Sequence, residues 1–172
     1  DQVQSRGLGD VYKRQTKIFF QDAVSATAAG TIHQAAASEA FLLGSLNGVF
    51  YTDPTTSKPT FANHYPGTIA ASDIKAFVAD DPYERFEIQS NKATAHAQTD
   101  VFKNFNIEVT AGDSANNVSK SELNHSTSTT GTAQIKVTGI STDVENSTLG
   151  AANLNFVVMI NEHLYNAKNN GI

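Results

Sequence analysis

The chain has 172 residues, no cysteine or tryptophan, and 12 basic against 17 acidic side chains. That length fits one domain, the missing thiols exclude a disulfide scaffold, a thiolate metal site and a cysteine nucleophile, and a net charge of −5 speaks against a nucleic-acid-binding surface. Charged residues make up only 17% of the chain while Ser, Thr and Asn supply about a quarter, and no apolar run approaches the roughly 20 residues of a membrane-spanning helix.

Residues 1–15 (DQVQSRGLGDVYKRQ) read as a translated sequencing-library adapter rather than as part of a fold, which points to a gene recovered from environmental DNA. Setting them aside removes three basic and two acidic residues, so nine basic groups face fifteen acidic ones and the only basic cluster is gone. The domain is then expected to run over residues 16–172, with its native start missing.

From Thr16 onward the dominant period is two, the signature of strands whose successive side chains point to opposite faces. In 102–110 (FKNFNIEVT), Phe105, Ile107 and Val109 share one face and Asn104, Asn106 and Glu108 the other. The pattern recurs in 84–89, with Phe86 and Ile88 inward, and in 134–138, with Ile135 and Val137 inward. In 153–160 (NLNFVVMI) both faces are partly apolar, which predicts a central strand. Residues 17–24, 41–52 and 74–79 are further strand candidates. The Ala-rich stretch 23–40 has helix propensity, but Gly30 and the β-branched Thr27, Thr31 and Ile32 favour extended structure. Turn signals punctuate these runs: Asp53-Pro54, Tyr65-Pro66-Gly67, Asp81-Pro82, Gly112-Asp113 and Leu149-Gly150. The expectation is an all-β single domain, a small barrel or sandwich of about seven to ten short, mainly antiparallel strands. Residues 111–131, nearly free of large apolar groups, predict a long polar loop, with one short helical turn near 119–123.

No motif carries chemistry. The five histidines, His33, His64, His96, His125 and His163, form no closely spaced His pair; surface or hydrogen-bonded roles are expected of them, with a zinc site assembled only by folding left open. Asp80, Asp81, Glu84 and Glu87 read as a solvated turn and strand face, and residues 113–117 lack the oxygen ligand and glycine of a calcium loop. There is no phosphate-binding loop and no G-x-S-x-G. Three N-x-S/T matches, at Asn117, Asn124 and Asn146, fit chance in so Asn- and Ser-rich a chain. Phe86, Phe105 and Phe156 read as core, and Tyr51, Tyr65, Tyr83 and Tyr165 as freer rim residues. No catalytic, cofactor-binding or metal-binding residue is therefore expected.

Six short runs nevertheless share a likeness: 48–52 (GVFYT), 65–67 (YPG), 81–82 (DP) leading into 86–89 (FEIQ), 97–100 (AQTD), 149–153 (LGAAN) and 160–163 (INEH). Together they resemble small β-rich virion structural proteins of tailed, mostly marine, bacteriophages, of the head decoration or auxiliary capsid kind. The resemblance covers most of residues 16–172 and its motifs are structural. It implies a non-enzymatic protein that docks on the phage major capsid protein at the capsid exterior, with self-association as a further option, and without nucleic acid, membrane or cofactor. Two other readings stay open: a tail or fibre module binding a host-surface glycan, and a hydrolase with a dispersed carboxylate site.

Overall fold

The computed structural model describes residues 16–37, 39–129 and 131–166; the adapter-like residues 1–15 lie outside them. Ten antiparallel strands form two five-stranded sheets, as the period-two pattern requires. Among the described residues neither sheet closes into a barrel, so of the two expected architectures the arrangement is that of a sandwich rather than a barrel. No helix among them is long and apolar enough to cross a membrane.

The first sheet is organised on β3 (Gly44–Thr52). One edge of β3 takes β1 (Ala23–Ala26) and then β4 (Pro59–Ala62), and the other takes β5 (Lys75–Ala79). The outer neighbour of β1 is β2 (Ile32–Gln34), so the Ala-rich stretch is extended as expected. Gly30, at φ +76, makes the reversal between β1 and β2, where Thr27 and Thr31 pair through their hydroxyls. The β3–β5 ladder shifts register between Leu46 and Gly48, leaving Asn47 as an extra residue. That bulge resets the alternation, so Leu46, Val49 and Tyr51 all face inward although strict period two would separate them. They bury a core with Ile18, Val24, Ile74, Val78 and Tyr65. Tyr51 and Tyr65 are therefore core residues, contrary to expectation. The bulge turns Tyr51 in, while Tyr65 is drawn in by its two backbone hydrogen bonds with Ile18.

The second sheet runs in the order β6 (Phe86–Gln89), β10 (Asn155–Ile160), β9 (Ile135–Ile140), β7 (Asn104–Glu108), β8 (Glu122–Thr129). As predicted, β10 has a neighbour on each side. The sheet curls until its edges meet at one point, where Ser90 bridges Leu123 and the Asn91 amide donates to the Leu123 carbonyl at 3.0 Å. A second core fills the curl: Phe105, Ile107, Leu123, Ile135, Val137, Leu154, Phe156, Val158 and Ile160. The two cores meet along a seam in which Leu42 buries into the second and Leu43 into the first. The Leu42 backbone pairs with Glu162 and Leu164, while the Leu43 amide donates to Val24. Adjacent leucines on opposite faces of one extended segment thus fasten the sheets together, each contributing roughly 2 kcal/mol of apolar burial.

Two local expectations are corrected. The long polar loop is interrupted by β8, whose inward positions are Leu123, His125 and Thr127; with only one aliphatic residue among them, the strand carries no hydrophobic signature. No helical turn forms at 119–123, because the Ser119 hydroxyl accepts the Ser121 amide and Leu123 belongs to β8. The one 3₁₀ turn among the described residues is Gln98–Asp100. The irregular remainder is anchored, since the Phe20 amide donates to the Asn117 carbonyl, the Phe20 carbonyl accepts the Ser119 amide, and Gly112 lies against the Phe19 ring.

Candidate functional site

The chain leaves β6 through Ser90 and Asn91, and Asn91 holds this connection to the far edge of the sheet. Its side-chain oxygen accepts the His125 amide at 3.0 Å, and its side-chain nitrogen donates to Glu108. The connection then delivers His96, whose backbone amide donates to the Ala151 carbonyl, into the 3₁₀ turn. Asp100 closes that turn by reaching back to the Ala97 amide at 3.3 Å. His125 enters from β8. Three residues from two separate stretches of chain therefore converge at the core of the curled sheet.

Asp100 is the centre. Its Oδ2 lies 3.0 Å from His96 Nδ1 and 3.3 Å from His125 Nε2, and the donor atoms of the three residues all fall within 4.8 Å of one another. The His96 ring packs edge-on against Phe156 and against His125, each at a centroid distance of 5.0 Å, while His125 lies against Phe105 at 5.5 Å. Two ammonium groups approach from the solvent side, Lys103 at 3.5 Å from Oδ1 and Lys92 at 3.9 Å from Oδ2. Burial works to raise the Asp100 pKa, but the His96 hydrogen bond, the Ala97 amide and His125 together outweigh it and hold the carboxyl at about 2. His96 is pushed below its ordinary value, chiefly by burial and against the pull of Asp100, so its imidazole is neutral at neutral pH. One feature is left unresolved by hydrogen bonding: the Nε2 atoms of both His96 and His125 are buried without a hydrogen-bond partner. His125 Nε2 is close to Asp100 in distance but outside hydrogen-bond geometry.

The sequence left a zinc site assembled by folding open but singled out none of these three residues for it. The usable signal was His96 and Asp100, four residues apart, which a search for paired histidines passes over; His125, 25 residues beyond Asp100, has no local signal at all. The other histidines stay apart: His33 pairs with Glu39 at 3.2 Å, His64 with Asn63 at 2.8 Å, and His163 accepts the Tyr165 amide at 3.0 Å. The acidic group splits. Asp81 caps its own turn through the Tyr83 amide and Glu87 faces outward, whereas Asp80 is buried and accepts the Tyr165 hydroxyl at 3.3 Å. Asp113 closes a turn onto the Ala115 amide.

Two other surfaces matter. A cleft of about 470 Å³ lies between the sheets, floored by Phe86, Ile107, Ile135 and Val158, with Arg85 and Glu87 among its lining residues; none of the three clustered residues lines it. On the outer face of the first sheet, Phe61 of β4 is 64% exposed and Phe77 of β5 is 38% exposed, their rings 5.6 Å apart. They flank Gly48 of β3, where an added Cβ would come within 2.8 Å of the Phe61 ring, and the cross-strand partner of Phe61 is Phe50. Among the described residues, Tyr83 and Tyr165 are the exposed tyrosines.

Comparisons with protein-family models, with curated proteins and with solved structures give no match for this chain.

Proposed function

We propose that this protein is a non-enzymatic structural component of a tailed-phage particle, a decoration protein that binds the major capsid protein on the exterior of the head. The observation that carries the reading is the aromatic patch on the first sheet. Phe61 and Phe77 expose their rings side by side on a hydrogen-bonded three-strand surface, where a soluble domain would ordinarily present polar side chains. Aromatic anchors set on a rigid element are the kind of group that supplies most of the energy of a protein–protein contact. The floor of the patch is built by Gly48 and Phe50, from the first of the runs that resemble virion proteins.

The ionisable cluster lies apart from the proposed contact surface and from the cleft. Asp100 stays ionised and is flanked by two ammonium groups, and the three clustered residues stand away from the cleft a substrate would enter. The glycan reading loses two of its stacking residues, because Tyr51 and Tyr65 are core. Binding to the assembled lattice, and not to free subunits, would stabilise the head by mass action. Electron microscopy of particles carrying and lacking the protein tests this. The expected result is added density on the head and greater heat resistance; particles identical in both respects would refute it.

A further inference from the structure

We propose that His96, Asp100 and His125 form a binding site for a transition-metal cation of the zinc class, which pins β8 to the turn that follows β6. This inference is independent of the proposed function.

The geometry comes first. Ligands about 2.0–2.1 Å from a tetrahedral zinc ion lie about 3.3 Å from each other. The Asp100 Oδ2 to His125 Nε2 and Asp100 Oδ2 to His96 Nδ1 separations, 3.3 and 3.0 Å, are close to that spacing before any metal is added, and the two histidine donors, within 4.8 Å of each other, would draw together on the cation. A second feature is the buried His125 Nε2, which stands 3.3 Å from Asp100 Oδ2 without a well-directed hydrogen bond. A cation between the two would give that nitrogen the partner it lacks. Metal coordination through His96 Nδ1 would leave its Nε2 as the protonated nitrogen against the aromatic wall. The rings are preset by packing, His96 against Phe156 and His125 against Phe105, so little side-chain freedom is lost on binding.

The donor set selects the metal. Two imidazoles and one carboxylate suit Zn²⁺, Co²⁺, Ni²⁺ or Cu²⁺, whereas Ca²⁺ and Mg²⁺ require a shell of oxygens. Three protein ligands leave a fourth position for water. Lys92 and Lys103 compete with the cation for the same carboxylate. Both side chains are partly exposed, so both ammonium groups can withdraw into solvent when a cation enters, and their presence weakens the site rather than abolishing it.

The competing lysines make the test two-sided. Zn²⁺ binding to the full chain is measured calorimetrically at pH 7.5, and Co²⁺ is added separately to read its visible absorption. The expected result is one saturable Zn²⁺ site, an intense Co²⁺ spectrum of low coordination number, and a rise in melting temperature with Zn²⁺ concentration. His125→Gln should weaken binding at least ~10-fold, since losing even an outer-shell partner of a metal site costs about that much. Lys103→Met should tighten binding severalfold, because it removes a like charge beside the cation. A His33→Gln/His64→Gln variant should bind as the parent does. Absence of saturable binding, binding that survives His125→Gln, or a Lys103→Met variant with unchanged or weaker affinity would each overturn the proposal. The lysine variant gains rather than loses binding, so misfolding cannot imitate the expected result.

Discussion

Replacing Asp100 by asparagine keeps the shape of the buried side chain and removes its charge. At pH 7 this leaves the approaching lysines without their counter-charge and His96 without its strong acceptor, and should cost about 3 kcal/mol, as breaking buried pairs does. The pH dependence is more specific. The Asp100 pKa falls from 3.8 to about 2 on folding, because its hydrogen bonds and histidine neighbours outweigh burial. A carboxyl depressed on folding contributes stability that is present above its unfolded value and lost as pH falls through its folded value, here about 2 kcal/mol lost between roughly pH 4 and pH 2. His96 acts in a higher window. Its folded value is lowered by burial, so both proteins lose stability as pH falls through about 6.5, and the variant loses more because Asp100 no longer favours the imidazolium. Urea unfolding followed by far-ultraviolet circular dichroism from pH 7.5 to 1.5 reads both effects. The gap between parent and variant should widen slightly from pH 7 to 5, then narrow by about 2 kcal/mol below pH 4. A gap that stays constant from pH 5 to 1.5 would refute the electrostatic account of the cluster.

Three further outcomes follow from packing. A Cβ on Gly44 would sit 2.0 Å from the Ala79 carbonyl oxygen, so Gly44→Ala should cost about 3 kcal/mol or more in urea unfolding, whereas Gly30→Ala, which meets nothing but has φ +76, should cost only about 1 kcal/mol. Phe156→Ala opens a cavity in the second core and should cost about 3–5 kcal/mol, while Phe61→Ala, losing one exposed ring contact, should cost no more than about 1 kcal/mol. Asn91→Ala removes the acceptor of the His125 amide and the donor to Glu108, and should lower stability by about 1–3 kcal/mol and speed hydrogen exchange at His125.

The sequence announced most strands because their inward positions are aliphatic or aromatic, as in Phe156, Val158 and Ile160 of β10. β8 escaped notice because its inward positions after Leu123 are histidine and threonine, held by Asn91 and Phe105 rather than by an apolar stripe of their own. Tyr51 was misplaced for a geometric reason: one bulge residue, Asn47, inverts the facing of everything after it on β3. The aromatic patch was hidden by the same inversion, since its members lie on three strands and share a face only once the register is known. The His96–Asp100–His125 cluster was half legible, in the four-residue spacing of its first two members. His125 joins them through the curl of the sheet, which no local pattern encodes.

The measurement closest to the functional claim is binding of the purified protein to capsid shells that lack it, with the parent compared against a folded Phe61→Ser/Phe77→Ser double variant. The account predicts that the parent saturates the shells and raises their melting temperature, and that the double variant stays in solution. Equal binding by the two, or no binding by the parent, would contradict it.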